Sequence, residues 1–406
     1  MDHHQLLLFF ALLIFAFGLV SRLAERNLVS GPMIFLTVGV LGSPLAFGFL
    51  HVTHDMEPVI LAAEIALTLV LFIDASTINR SRFADGSWKI PARLLLVGLP
   101  LTMVLGTLVG VWMFDDVSVW AVALMALILS PTDAALGQAV VKGECVPVEI
   151  RQSINVESGL NDGIALPPIL IVLALLGADA NGHEGAWTEF VLEQIILGPI
   201  IGMAVGWFGG MLMQNAADRG WTEDTFQRLS ALPIAILAFA LAESVEGNGF
   251  ISAFVAGLGF AQAISSEAIR HQVQEFGETE GAQLILVVFL IFGLAMVPAA
   301  APYWGIEEFV YALLSLSVLR MLPVAISLIG AKLDLSTILF IGWFGPRGIA
   351  SVLYVLLALA AIGMEGHEQV VSVVVLTVML SVFAHGISAL PLSKRYGEKR
   401  QVSGGN

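Results

Sequence analysis

The stretch Ser153-Ile154-Asn155-Val156-Glu157-Ser158-Gly159-Leu160-Asn161-Asp162-Gly163 runs directly into IALPPILIVLALLG, which ends at Gly177. The second part is apolar enough to lie in a bilayer, where a spanning helix takes about 20 such residues. The first part sets two carboxylates, an amide and a hydroxyl in the same span. On a helix Glu157 with Asn161, and Ser158 with Asp162, are i, i+4 pairs, so two neighbouring stripes carry oxygen atoms. Hard monovalent cations take oxygen donors, by the logic that governs calcium and magnesium. A polar face that merely lines a water-filled crevice is the plainer alternative, but four polar groups within six residues argue against packing alone. This segment therefore points both to a helical membrane fold and to an ion path through it.

The rest of the chain agrees. Of 406 residues 57% are hydrophobic and 13% charged, against roughly 25% charged in soluble domains; the mean hydropathy is +0.89. That excludes a water-soluble enzyme and a disordered regulator. The formal net charge of −15 also excludes a nucleic-acid partner, since an acidic chain is repelled by phosphate. One cysteine, Cys145, leaves no disulfide framework or thiolate metal cluster, and no cofactor is expected. Forty glycines and sixteen prolines suit packed, deliberately broken transmembrane helices.

Thirteen stretches qualify as spans, near 4–23, 29–50, 57–77, 92–114, 118–141, 152–177, 188–215, 226–245, 249–268, 281–300, 306–330, 335–361 and 367–391. The start, Met1-Asp2-His3-His4-Gln5, lacks the basic region of a cleavable signal, so span 1 is expected to remain. A tail of about fifteen residues follows span 13, so residues 1–406 read as one membrane unit with no soluble regulatory domain. Lys and Arg concentrate in cytoplasmic connections. Here sixteen of eighteen fall on alternate connections: Arg22 and Arg26; Arg80, Arg82, Lys89 and Arg93; Lys142 and Arg151; Arg219 and Arg228; Arg270; Lys332; and Lys394, Arg395, Lys399 and Arg400. The N-terminus is accordingly expected outside and the C-terminus in the cytoplasm.

Ionisable residues at membrane depth cost roughly 2.5 to 3.5 kcal/mol each and are functional candidates by default. They are Glu64 and Asp74 in span 3, Asp133 in span 5, Glu157 and Asp162 in span 6, Arg320 in span 11 and Arg347 in span 12. Span 5 also contains Ser130-Pro131-Thr132-Asp133, and span 12 contains Gly345-Pro346-Arg347-Gly348. Proline frees carbonyls by removing a donor and clashing with the preceding turn. Interrupted spans at corresponding positions of two halves mark a transporter binding site. Spans 5 and 12 are seven apart, and an odd offset reverses the direction of entry. Spans 1–6 and 8–13 then form inverted repeats, with breaks that cross near the midplane and helix ends that Arg347 or Asp133 can neutralise.

These three motifs, and a likeness across all thirteen spans, resemble the monovalent cation:proton antiporter-1 family, which contains NhaP-type and NHE-type sodium/proton exchangers. The resemblance implies an all-α NhaA/NhaP-like fold. Its ion-transport core lies about 92–177 and 306–391, and its dimerisation helices lie about 4–77 and 188–300. It implies a homodimer in lipid, in a bacterial plasma membrane, exchanging Na+, or else Li+ or K+, for H+. By resemblance Asp162 carries the proton or the cation in turn. Asp133, Thr132 and Ser158 help to ligate or shape the site, the threonine through its carbonyl. Asp74 stands where the family often has a glutamate, one methylene longer. Glu157 looks like half of a buried ion pair, with Arg320 as the candidate partner. Electrogenic relatives carry an aspartate where this chain has Asn161, so the resemblance implies electroneutral one-for-one exchange. Burial disfavours a charged Asp162 while a bound cation favours it, so proton and cation compete, and only the neutralised site crosses readily.

Gly202, Gly206 and Gly210 make a GxxxGxxxG ridge on span 7 that permits close packing, more simply within one protomer than between two. Glu64 lies roughly 15 Å along the helix from Asp74, where it lines an outer funnel or reaches water. His385 in span 13 either tunes a pH response or is a hydrogen-bonded packing residue, the commoner role. His51, His54, His183 and His367 show no zinc spacing. Three rival functions fit less well. A cation channel needs no proton coupling. An organic-anion symporter needs free arginine, whereas carboxylates outnumber Arg347 here. A membrane-embedded hydrolase needs a paired nucleophile and base that the chain lacks.

Overall fold

The computed structural model describes residues 3–26, 29–48, 57–77, 88–133, 136, 140, 145–181 and 186–403. The connections holding His51, His54, Arg80, Arg82, Lys142 and His183, and most of span 5 beyond residue 133, lie outside the described residues. All regular structure among the described residues is helical. The helices are α1 (His3–Arg26), α2 (Gly31–Gly42), α3 (Glu57–Ser76), α4 (Lys89–Met113), α5 (Val119–Ile128), α6 (Val148–Asn181) and α7 (Ala186–Asp218). They continue as α8 (Asp224–Glu243), α9 (Gly249–Ala263), α10 (Glu267–Tyr303), α11 (Ile306–Ser327), α12 (Leu335–Trp343), α13 (Ile349–Ile362) and α14 (Glu368–Ser403). Seven of these, α4, α6, α7, α8, α10, α11 and α14, are long and apolar enough to cross a membrane. The chain is an integral membrane protein.

Local chemistry sets the ends. Ser118 Oγ caps α5 by accepting from Ala121 N–H at 3.2 Å, and Asn248 Oδ1 caps α9 by accepting from Ile251 N–H at 3.0 Å. Helix α2 stops at Gly42 instead of running to 50. Ser43 N–H closes it onto Gly39 O and Val40 O, and Pro44 cannot continue the ladder.

Two helices overrun the apolar stretches from which they were expected. Helix α10 starts at Glu267, not near 281, because its polar first turns still bury Ile269 and Val273, an i, i+4 pair, against Phe72, Ile73 and Phe260. Helix α14 continues past 391 to Ser403, so the expected polar tail is folded. Its Tyr396 ring stacks on Phe340 of α12 at 4.2 Å, and its hydroxyl shares a 2.7 Å hydrogen bond with Thr337. Arg400 Nη2 donates to Asp334 Oδ1 at 2.6 Å and to Thr337 Oγ1 at 2.7 Å.

The glycine ridge of α7 lies on α9 of the same chain. A Cβ on Gly202 or Gly206 would overlap the carbonyl oxygens of Ser252 and Ala256, and one on Gly210 would sit 2.9 Å from Ala263 Cβ. The contact is therefore backbone to backbone and intramolecular, as the simpler reading of the motif had it.

Asp334, in the connection between α11 and α12, is held down to about 2 by the Ser336 and Thr337 hydroxyls, with help from Arg400. Its carboxyl is lower in the folded chain than its ordinary 3.8, so its contribution is fully present above that value and is lost as pH falls through about 2. The clasp on the tail thus stays charged at any neutral pH. Asp334→Asn should speed tryptic removal of the α14 tail from detergent-purified protein by roughly two- to fivefold, the range of a half-exposed ion pair, without lowering the unfolding temperature of the bundle.

Candidate functional site

Two helices stop where proline enters the chain. Helix α5 ends at Ile128 and Leu129-Ser130-Pro131-Thr132-Asp133 leaves it; α12 ends at Trp343 and Phe344-Gly345-Pro346-Arg347-Gly348 is unwound before α13 begins. The two unwound segments are bonded to each other, Asp133 N–H donating to Pro346 O at 2.8 Å. Their charges are exchanged across the contact. Arg347 Nη1 donates to Ser130 O at 3.0 Å and Pro131 O at 3.2 Å, just past the C-terminus of α5. Asp133 Oδ2 accepts from Ile349 N–H at 2.9 Å, the first amide of α13. A cation thus meets the negative end of one helix and an anion the positive end of the other. Gly348 makes room for this, since a Cβ there would overlap Asp133 Oδ2.

Helix α6 lies along the broken α5. Ser158 Oγ donates to Thr132 O at 2.6 Å, and Asn161 Nδ2 donates to Thr132 Oγ1 at 2.6 Å. The carbonyls that proline frees therefore have protein donors: Arg347 on Ser130 and Pro131, Ser158 on Thr132. Asp162, next along α6, is 4% exposed. Tyr354 of α13 donates to its backbone oxygen at 2.8 Å, and its carboxylate Oδ1 accepts no hydrogen bond among the described residues. Asp74 on α3 and Asp133 after α5 are acidic neighbours on the elements beside it. Asp74, half-buried on α3, borders α6 at Gly159. Among the described residues no three His, Cys, Asp or Glu side chains converge as a metal cage.

Glu157 pairs with a buried arginine. Its Oε1 is 2.6 Å from Arg320 Nη2, with both side chains no more than 2% exposed. Arg320 also lies against the break, since a Cβ on Gly345 would overlap its Nε. Of the two arginines in spans, Arg320 takes the glutamate and Arg347 takes carbonyls. Thr132 thus bonds directly to Ser158 and Asn161, Asp133 and Arg347 bond across the two breaks, Asp162 and Asp74 adjoin these groups, and Glu157 pairs with Arg320. A small cavity is lined by Thr132, Asp133, Val140, Ile154, Ser158, Phe344 and Pro346. A second lies on the far side between α3, α9 and α13, lined by Glu64, Leu67, Phe250 and Leu353 among others.

Three partners of the site escaped the sequence: Tyr354, Ser351, whose Oγ donates to Ile128 O at 2.8 Å, and Ser381, whose Oγ accepts from Arg347 N–H at 2.7 Å. Each is a hydroxyl within a span, which is a weak signal because hydroxyls also satisfy their own helix.

The family model described as sodium/hydrogen exchanger, transmembrane, matches residues 7–395. Among curated proteins, the chain is 25% identical over 387 residues to the K(+)/H(+) antiporter NhaP of Alkalimonas amylolytica, covering 94% of this chain and 65% of that protein. It is 25% identical over 396 residues to the K(+)/H(+) antiporter NhaP2 of Shewanella baltica, covering 96% and 66%. The chain thus spans just under two thirds of the length of these relatives. The sodium proton antiporter MjNhaP1 from Methanocaldococcus jannaschii superposes with a TM-score of 0.80 at 17% identity, covering 98% of this chain and 99% of that one, and so has the same fold.

Glu157→Gln leaves Arg320 buried without a counter-charge and should cost about 3 to 5 kcal/mol, seen as a large drop in the unfolding temperature in detergent. The double variant Glu157→Gln/Arg320→Met should recover part of that loss, and Glu157→Gln unfolding like the parent would refute a structural role for the pair.

Proposed function

Because the chain belongs to the transmembrane sodium/hydrogen exchanger family, we propose that it exchanges a monovalent alkali cation for a proton across the membrane, one for one, at Asp162. The observation that carries this is the Asp162 carboxylate: buried, with no hydrogen bond to its Oδ1 among the described residues, beside two helix breaks whose own charges are already matched. An ionised carboxylate so placed needs either a proton or a cation. The two compete for it, and the empty charged site bears a desolvation cost that opposes its crossing. Thr132, Ser158, Asp133 and Asp74 form the wall against which the cation sits. The relatives' names include both potassium and sodium exchange; sodium is our first assignment, with lithium and potassium as alternatives.

The one-to-one ratio rests on Asn161. Its amide nitrogen is committed as a donor to Thr132 Oγ1, and an amide has no proton to carry through the cycle. We further propose thirteen spans with the C-terminus in the cytoplasm of a bacterium, inverted repeats whose broken members cross, and a homodimer. In this scheme the core of residues 92–177 and 306–391 moves as a body against the helices of 4–77 and 188–300. The close fit of α6 to the latter set supports such a sliding boundary: Gly159 faces Asp74 of α3, and a Cβ on Gly163 would overlap the Phe254 ring of α9.

In proteoliposomes carrying a pH dye, a cation gradient at clamped zero voltage should drive proton flux, whereas a channel would carry cation current with none. Asp162→Asn should abolish the flux in protein that still inserts and folds; cation-driven proton flux equal to the parent's would defeat the assignment. For the parent, changing the membrane voltage with valinomycin should leave the rate unaltered, and voltage-driven exchange would overturn the one-to-one ratio.

A further inference from the structure

The break in the span made by α12 and α13 interrupts a helical ladder, and Pro346 brings no N–H of its own. Three polar side chains of α14 answer it. Ser381, His385 and Ser388 stand at i, i+4 and i+7, one face of the helix. Ser381 Oγ accepts from Arg347 N–H at 2.7 Å on the far side of the break. His385 Nε2 is 3.0 Å from Trp343 O on the near side, and Ser388 Oγ accepts from Trp343 Nε1 at 2.9 Å. The link between the two sides is internal to α14, because His385 Nδ1 is 3.1 Å from Ser381 Oγ. His385 is fully buried, and its ring lies 5.0 Å from the Trp343 ring.

Counting donors assigns the arrangement. Trp343 O is an acceptor, so Nε2 carries the ring proton. Arg347 N–H needs an acceptor, so Ser381 Oγ receives it and turns its own hydrogen to Nδ1, which accepts as the unprotonated nitrogen of a neutral ring. The path Arg347 N–H to Ser381 O–H to His385 to Trp343 O closes with one neutral tautomer and no donor left over. Nδ1 also lies 3.0 Å from Ser381 O, an acceptor one helical turn before it, so with the neutral ring that approach is a close contact and not a hydrogen bond.

We propose that His385, through Ser381, is a positioning residue for exchange. Together they staple the 344–348 break so that Arg347 reaches the carbonyls after α5 and Ile349 N–H reaches Asp133. The proposal rests on the exchange reading for its transport consequence but not for the staple itself. It absorbs a histidine that the sequence left between a pH tuner and a packing residue, and gives it a role in geometry, acting as a neutral donor and acceptor.

The variants separate the arms. His385→Gln keeps a donor at the Nε2 position, while His385→Leu removes both arms and Ser381→Ala removes the acceptor for Arg347 N–H. In hydrogen exchange read by mass spectrometry on the intact detergent-solubilised protein, the peptide containing Phe344–Ile349 should lose about tenfold or more protection in His385→Leu and Ser381→Ala. His385→Gln should restore most of it. In proteoliposomes the first two should lower the maximal proton flux about tenfold with the apparent cation affinity changed less, and His385→Gln should recover the flux. Parental protection and flux in His385→Leu would overturn the proposal, as would a His385→Gln variant no better than His385→Leu on both measurements. If the parent shows no cation-dependent proton flux, the exchange reading fails alone, and the hydrogen-exchange result still decides the staple.

Discussion

Everything at the centre of this protein depends on the exchange of charges between two broken helices. A helix that ends inside a bilayer presents bare carbonyls or bare amides to a medium without water, and each costs free energy unless a partner is found. Arg347 supplies donors to Ser130 O and Pro131 O, and Asp133 supplies an acceptor to Ile349 N–H. Each side chain comes from the opposite broken element, so neither break is satisfied without the other. Isolated buried charges would be expensive, but here each completes a helix terminus.

That arrangement frees Asp162 for another role. With the breaks neutralised by Arg347 and Asp133, and Glu157 matched by Arg320, the Asp162 carboxylate keeps an Oδ1 that accepts no hydrogen bond among the described residues. Hydrogen bonds from Ser158 and Asn161 to Thr132 hold α6 in register with the break, so that Asp162 stands beside it. The site is thus a buried carboxylate set beside a hydrogen-bonded polar frame.

Much of this was written in the residues. Ionisable side chains within apolar spans identified Asp133, Glu157, Asp162, Arg320 and Arg347, because lipid tolerates them only for a reason. Pro131 and Pro346 marked the breaks, because a missing N–H is a property of the residue itself. The GxxxGxxxG ridge announced a close helix contact, which α7 and α9 supply. Helix ends were less legible. The amphipathic start of α10 and the folded tail of α14 extend beyond the apolar stretches, since hydropathy reports burial in lipid and is blind to helices that pack on protein.

The sequence by itself determined an integral membrane, all-helical chain with several ionisable residues inside apolar spans, among them those at two breaks and in one polar span, because side-chain solvation and proline's missing donor are local and additive. Only the tertiary structure decided how those charges pair. Glu157 takes Arg320 and leaves Arg347 to the α5 carbonyls, Asp133 caps α13, and Ser381 with His385 bridges the second break. Each of these contacts joins residues on different elements, most of them far apart in the chain, and hydrogen bonding requires a distance and a direction that only packing fixes. A sequence can state that a buried charge must have a partner; which of several available partners it meets is a matter of how the helices lie against one another.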